Sequence, residues 1–260
     1  MSVQRVVQTQ PPVTADLIEY ALRLGDNTLL LGQRLGEWCG HAPELEDDIA
    51  LSNIALDLIG QTRLLLSLAG EWEGRGRDED ALAYLRDAPE FRNLTLLELP
   101  NGDFGQTVLR IALFSAYQVA LWRALRDGAE PRLAAIAGKA LAESRYHLRY
   151  AAEWVVRLGD GTDESRRRMQ RALAHWWPYL AEMFDNDALE RRQGGIAPQA
   201  ALLRKEWEAL VLPVLAEATL RLPADTGYRS GGKRGEHSES LGHVLAEMQF
   251  LQRAYPGGCW

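Results

Sequence analysis

Cysteine is almost absent from this chain: Cys39 and Cys259 are the only two in 260 residues, and they lie near opposite ends of the sequence. Two such residues cannot build a disulfide framework or a CxxC metal knuckle. Histidine is also scarce, with five copies, and net positive charge is missing: the formal charge is −7. An acidic balance argues against nucleic acid or an anionic membrane as the main partner. No uninterrupted apolar run approaches the roughly 20 residues that span a bilayer. The opening stretch, MSVQRVVQTQPPVTAD, has neither an apolar core nor a cleavage signal. The expected compartment is therefore the cytoplasm. Strand-like alternation and internal repeats are missing as well.

What is present is helical periodicity. The first 13 residues, with Pro11-Pro12, are expected to form a loose arm, and Thr14 to cap the helix that follows. From Ala15 to Trp38, apolar residues recur every three or four positions: Leu17, Tyr20, Ala21, Leu24, Leu31 and Leu35. That spacing predicts one long amphipathic helix. Glu44 to Ala69 predicts a second, apolar on nearly all sides between Ile49 and Gly60 and so expected to be buried all round. Gly70 to Gly76 is expected to turn, Asp78 to Leu85 to form a short helix, and Pro89 to Phe104 to cross irregularly. Thr107–Arg126 and Pro131–Leu158 predict two further long helices, with Pro131 as a first helical residue. A fifth runs from Thr162 to Phe184, with a kink at Pro178, and a sixth from Pro198 to Leu222, kinked at Pro213. Residues 226–235, rich in Gly, Arg and Lys, are expected to be a flexible loop. Ser238–Ala254 closes the pattern as a last helix. The predicted class is all-α: one four-helix core with additional C-terminal helices, in a single domain over residues 1–260.

Two stretches pair a carboxylate with an imidazole one turn on, Glu37/His41 and Glu143/His147. In a long-helix protein that pairing suggests a carboxylate-bridged metal site. A di-iron bundle uses one Glu from each of two helices and a Glu-x-x-His from each of the other two. No histidine here has a Glu three residues before it: the positions hold Trp38, Ser144, Ala172, Arg234 and Ser240. Asp57, inside the apolar second helix, is followed at i+3 by Gly60, which has no side chain to ligate. The third long helix offers Ser115 and Gln118 but no interior acid. Glu37, Asp57, Glu143 and His147 are thus expected to be a relic polar core, with no metal, no catalytic residue and no cofactor in this chain. Arg34, Arg63, Arg145 and Arg149 lie near the same helical levels and are expected to replace the metal charge with salt bridges.

Other chemistry is thinly represented. Gly231-Gly232-Lys233-Arg234-Gly235 lacks the following Ser/Thr and preceding strand of a phosphate loop. No serine sits in a nucleophile elbow. Trp176-Trp177 fits core or interface packing better than a ligand box.

Longer stretches carry a resemblance. Gly25–Arg34 (GDNTLLLGQR) with Glu37–His41 (EWCGH), Glu46–Gln61 (EDDIALSNIALDLIGQ), Phe91–Leu94, Pro100–Phe104 and Arg145–Arg149 (RYHLR) resemble the C subunits of bacterial phenylacetyl-CoA epoxidases. Leu245–Gly257 (LAEMQFLQRAYPG) agrees, so the likeness runs from about residue 16 to the C-terminus. The resemblance implies a ferritin-like fold within a multicomponent oxygenase that epoxidises the phenylacetyl-CoA ring with O₂ and NADPH-derived electrons. It implies a catalytic A subunit that holds the di-iron and the CoA ester, stabilised by a non-catalytic C subunit, and a separate reductase. Two function classes stay open. One is a structural subunit docking its catalytic homologue, with a homodimer as a further option for the isolated chain. The other is a di-metal oxygenase using Glu37, Asp57, Glu143 and His147 itself.

Overall fold

The computed structural model describes residues 13–224 and 230–258. Among them there is no strand. Four long helices form the centre: α1 (Ala15–Gly36), α2 (Leu45–Glu73), α5 (Phe104–Arg126) and α6 (Pro131–Gly159), with α3 (Glu79–Tyr84) and α4 (Thr95–Glu98) in between. α1 and α2 pack as one hairpin, α5 and α6 as another, and residues 74–103 cross between the two. A single long crossover is the connection that ferritin-like bundles use. One contiguous apolar cluster runs through all four helices. The fold is all-α and agrees with the predicted ferritin-like class.

Local chemistry explains most boundaries. The Thr14 hydroxyl accepts from Leu17 N, satisfying one of the free donors of the first turn of α1. Asp103 and Gln106 form a reciprocal capping box that starts α5 at Phe104, three residues earlier than the apolar pattern predicts. Pro131 is the first residue of α6, as expected. α1 stops at Gly36, so the Glu37–His41 stretch lies in the turn beyond it. α2 does not stop at Gly70: it continues to Glu73 and ends on Gly74 in the left-handed conformation, φ 66°. Gly70 is a packing glycine, since a Cβ there would sit 2.1 Å from the Arg77 carbonyl oxygen.

The crossover is tied down by buried polar contacts. Asp26 of α1 takes both terminal nitrogens of Arg86, with one contact at 3.1 Å, and also accepts from Arg92 N at 2.9 Å. The Arg86 guanidinium lies 4.2 Å over the Phe91 ring. Asn27 accepts from Leu94 N at 2.7 Å, satisfying a donor that has no helical partner.

Beyond α6, α7 (Asp163–Trp176) tightens into a 3-10 stretch at Trp177–Phe184, where Pro178 removes a donor. The short α8 (Ala188–Arg192) follows. α9 (Ala200–Glu217) keeps Pro213 inside it, and both α7 and α9 pack on α5. α10 (Glu239–Met248) and α11 (Phe250–Ala254) replace the predicted single last helix, breaking at Gln249, and α10 returns to α1 and α4.

Two expectations are corrected. Of the flexible loop predicted at 226–235, residues 226–229 lie outside the described residues, but 231–233 are buried. Lys233 is buried and its ammonium meets Asp185 O and Glu190, both at 2.7 Å. A Cβ on Gly232 would stand 2.0 Å from Asn93 O, so its glycine permits contact with the crossover. The predicted arm, 1–13, lies outside the described residues except for the exposed Val13. The second correction concerns hydropathy. α2 and α5 are both long and apolar enough, by length and composition, to cross a membrane. For α5 the apolar window is 89% buried, so its character serves the core; for α2 it is half buried, and the prediction that α2 is enclosed on every side fails.

Candidate functional site

The four candidate residues do not converge. Glu37 caps the end of α1, where Arg34 donates to it at 2.6 Å and Asn101 Nδ2 at 2.9 Å. Asn101 Nδ2 also donates to Arg34 O at 2.6 Å, and Arg34 Nε to Glu98 O at 3.0 Å. Glu37 therefore fastens α1 to the turn before α5. His41 is exposed, with Nδ1 3.0 Å from Cys39 O. The Glu37/His41 pair shares no helix face, because the helix has already ended.

The other three meet between α2 and α6. His147 Nε2 lies 3.0 Å from Asp57 Oδ2. With a carboxylate as acceptor, Nε2 carries the proton and Nδ1 is the free lone pair. Burial pushes the His147 imidazole below its ordinary value, against the hydrogen bond and charge of Asp57. The side chain is thus neutral at pH 7. Glu143 accepts from Gln61 Nε2 at 2.9 Å, with Lys139 of its own helix at 3.8 Å. Gln118 of α5 donates to Gln61 Oε1 at 3.3 Å. Beside Gln61, Thr62 shares a 2.8 Å hydroxyl contact with Thr28 of α1. All four long helices contribute to this level, but largely through amides and hydroxyls.

Gln61, Thr62 and Thr28 are absent from the candidate set drawn from the sequence. Gln61 stands one turn beyond Asp57, and a search for histidine at i+3 passes over an amide at i+4. The expected arginine network does not form at this level either. Arg34 pairs with Glu37, but Arg63 turns outward to Glu79 at 3.1 Å, and Arg145 and Arg149 are exposed, the latter 5.6 Å over the Tyr146 ring. Gln61 and Gln118 span the helices where charges were expected. Four polar atoms nearby have no protein partner although buried: Gln118 Oε1 and Trp122 Nε1 on α5, Ser144 Oγ and His147 Nδ1 on α6. Ordered water is the usual occupant of such positions.

This donor set does not fit a carboxylate-bridged di-iron centre. Asp57 and His147 are hydrogen-bonded to each other, and Glu143 is taken by an amide and an ammonium. Among the described residues no three His, Cys, Asp or Glu side chains group closely enough to hold a metal ion.

The comparisons with known proteins agree with the resemblance read from the sequence. A family described as phenylacetic acid catabolic protein matches residues 2–260. The chain is 52% identical over 246 residues to the C subunit of the 1,2-phenylacetyl-CoA epoxidase of Escherichia coli (strain K12), covering 94% of this chain and 99% of that protein. A helical chain whose centre is built from amides, and which matches along nearly its whole length, belongs to the phenylacetic acid catabolic protein family.

Proposed function

We propose that this chain is the non-catalytic structural subunit of a multicomponent oxygenase that epoxidises the ring of phenylacetyl-CoA during aerobic phenylacetate degradation. Its role is to dock and stabilise a related catalytic subunit, and that partner holds the di-iron and the CoA ester. The observation that carries the proposal is the composition of its centre. Gln61, Gln118, Thr28 and Thr62 occupy the level where a working bundle needs carboxylates and histidines. The relationship to the C subunit of an epoxidase supplies the reaction and the substrate class. The cytoplasm is the compartment this reading expects, with the apolar surface of α5 consumed inside the bundle.

Within such a complex the chain's own residues supply rigidity. Gln61 and Gln118 join α2, α5 and α6, the Thr28–Thr62 pair joins α1 to α2, and Asp26–Arg86 locks the crossover. None of them is assigned a chemical step.

The alternative reading, a di-metal oxygenase in its own right, is favoured by one fact: Asp57, Glu143 and His147 do share one region. Assay of the purified chain with phenylacetyl-CoA, a reductant, O₂ and ferrous iron separates the two. No epoxide is expected without the catalytic partner; turnover by the chain alone would overturn the structural role.

A further inference from the structure

Where the crossover meets α5 the chain carries Asn101-Gly102, a pair in which the side-chain amide is open to attack by the next backbone nitrogen. The fold demands both residues. Gly102 has φ 68°, in the left-handed region, and a Cβ on it would collide with the Gln106 side chain. Asn101 is buried and uses both ends of its amide. Its Nδ2 donates to Arg34 O at 2.6 Å and to Glu37 Oε2 at 2.9 Å, and its Oδ1 accepts from Arg110 Nη2. Gly102 is exposed, and its N–H has no hydrogen-bond partner among the described residues.

Arg110 gives the pair a second significance. Its guanidinium is fully buried, with Nη1 on Leu99 O at 2.6 Å and the Trp176 ring 5.2 Å away. Among the described residues no carboxylate pairs with it, and Nε has no partner. Burial pushes its titration point down to about 9, with the Arg34 charge acting in the same direction and Glu37 opposing. A buried cation held only by neutral oxygens is short of a counter-charge. An aspartate at position 101 would supply one at the oxygen Arg110 already holds.

We propose that Asn101 is a latent site of self-modification, kept as the amide by its bonds to Arg34 and Glu37 and converted to aspartate by the Gly102 nitrogen when they loosen. The attack is intramolecular, so no reactant has to be recruited except water. The Gly102 nitrogen bonds to Asn101 Cγ, the Cγ–Nδ2 bond breaks, and Nδ2 leaves as ammonia with the proton that Gly102 gives up. The product is a five-membered succinimide. Water then opens one of its two ring C–N bonds. Cleavage at Cγ leaves aspartate in a normal peptide linkage, and cleavage at the main-chain carbonyl leaves an isoaspartyl linkage. Arg110 sits on the Cγ oxygen, where it stabilises the negative charge that builds up during addition to Cγ. It thereby directs the water to Cγ and the product to normal aspartate. The two bonds from Nδ2 oppose the first step, because any rotation that brings Cγ within bonding distance of the Gly102 nitrogen strains them. Conversion is a one-way exchange of partners: the crossover loses its amide ties to the end of α1 and gains an ion pair with α5.

Peptide mapping by mass spectrometry, after incubation of the full chain at mildly alkaline pH, tests the proposal. Trypsin releases the site within Asn93–Arg110. The amide-to-acid mass gain reports conversion, and electron-transfer fragmentation separates aspartyl from isoaspartyl product. Folded wild type is expected to convert slowest. Glu37→Ala, folded by circular dichroism, is expected to convert about tenfold faster, the factor that one hydrogen bond to a charged group supplies. Glu37→Gln keeps the shape of the side chain without its charge and is expected to fall between. In the folded variants normal aspartate is expected to predominate, whereas wild type unfolded in urea yields mainly isoaspartate. Folded wild type converting as fast as the unfolded chain, a folded Glu37→Ala or Glu37→Gln chain no faster than wild type, or isoaspartate predominating in the folded variants would each overturn the proposal.

Discussion

Replacing Gln61 by leucine probes the amide centre directly. Gln61 makes two interhelical bonds there: it donates to Glu143 at 2.9 Å and accepts from Gln118 at 3.3 Å. Leucine is close in volume, so the perturbation is polar more than steric. It strands Gln118 Nε2 in a fully buried position where Gln118 Oε1 already lacks a partner. A buried polar group left unpaired costs about 1–3 kcal/mol, and the lost bond to the Glu143 carboxylate is of similar size. Burial of the added apolar surface offsets part of this. The net expectation is a loss of about 2 kcal/mol, or a fall of about 4–8 °C in thermal midpoint for a chain of this length. Urea unfolding supplies the free energy and calorimetry the midpoint. Gln118→Leu added to Gln61→Leu removes the stranded amide, so the double variant is expected to cost about 1 kcal/mol less than the sum of the singles. Gln61→Leu with wild-type stability, or strictly additive singles, would refute the view that these amides join the helices.

Asp26→Asn leaves the buried Arg86 guanidinium without its counter-charge, and a loss of about 3–5 kcal/mol is expected in chemical denaturation. A combined Asp26→Leu/Arg86→Met chain is expected to regain most of that loss. His237 faces acceptors on both ring nitrogens, Glu98 Oε2 at 2.7 Å and Phe91 O at 3.0 Å. Burial alone would lower its titration point, but the Glu98 hydrogen bond and charge, with the Phe91 carbonyl, carry it above 6.5. Its contribution is thus complete below the unfolded value near 6.5 and is lost as pH rises through the higher folded value. The stability gap between wild type and His237→Gln, measured by urea unfolding across that range, is expected to shrink with rising pH; a constant gap would contradict the imidazolium assignment. Gly70→Ala would place a methyl against the Arg77 carbonyl and is expected to destabilise the α2–α3 junction by about 1–3 kcal/mol, read by thermal unfolding.

Much of the architecture was legible because long helices announce themselves by period and by caps. Thr14, Pro131 and Thr162 mark true starts, and the crossover follows from the break between two helical pairs. Glycine misled twice: Gly70 and Gly232 resemble breakers in the sequence, and in the fold each allows a backbone carbonyl to approach. The apolar run in α2 concealed its exposed side, since an apolar run does not show by period alone that Leu45, Ile49 and Leu56 stay outside the core. At the centre, Asp57, Glu143 and His147 were identifiable by residue type, and Gln118 by the absence of an acid. Glu37 lay outside because it stands at the end of α1, about 13 Å along the axis from Thr28, the α1 residue at that level. Gln61 and Thr62 carry no local signal of their role; only the approach of α5 and α6 to α2 gives them partners.

The proposed function places the metal-binding capacity of the complex in the partner and not in this chain. Its most direct test is iron measured separately on each subunit after co-purification of the complex and gentle dissociation. Iron is expected on the catalytic subunit, with substoichiometric background on this chain that Asp57→Ala or His147→Ala leaves unchanged. Near-stoichiometric iron on this chain, lost on those substitutions, would contradict it.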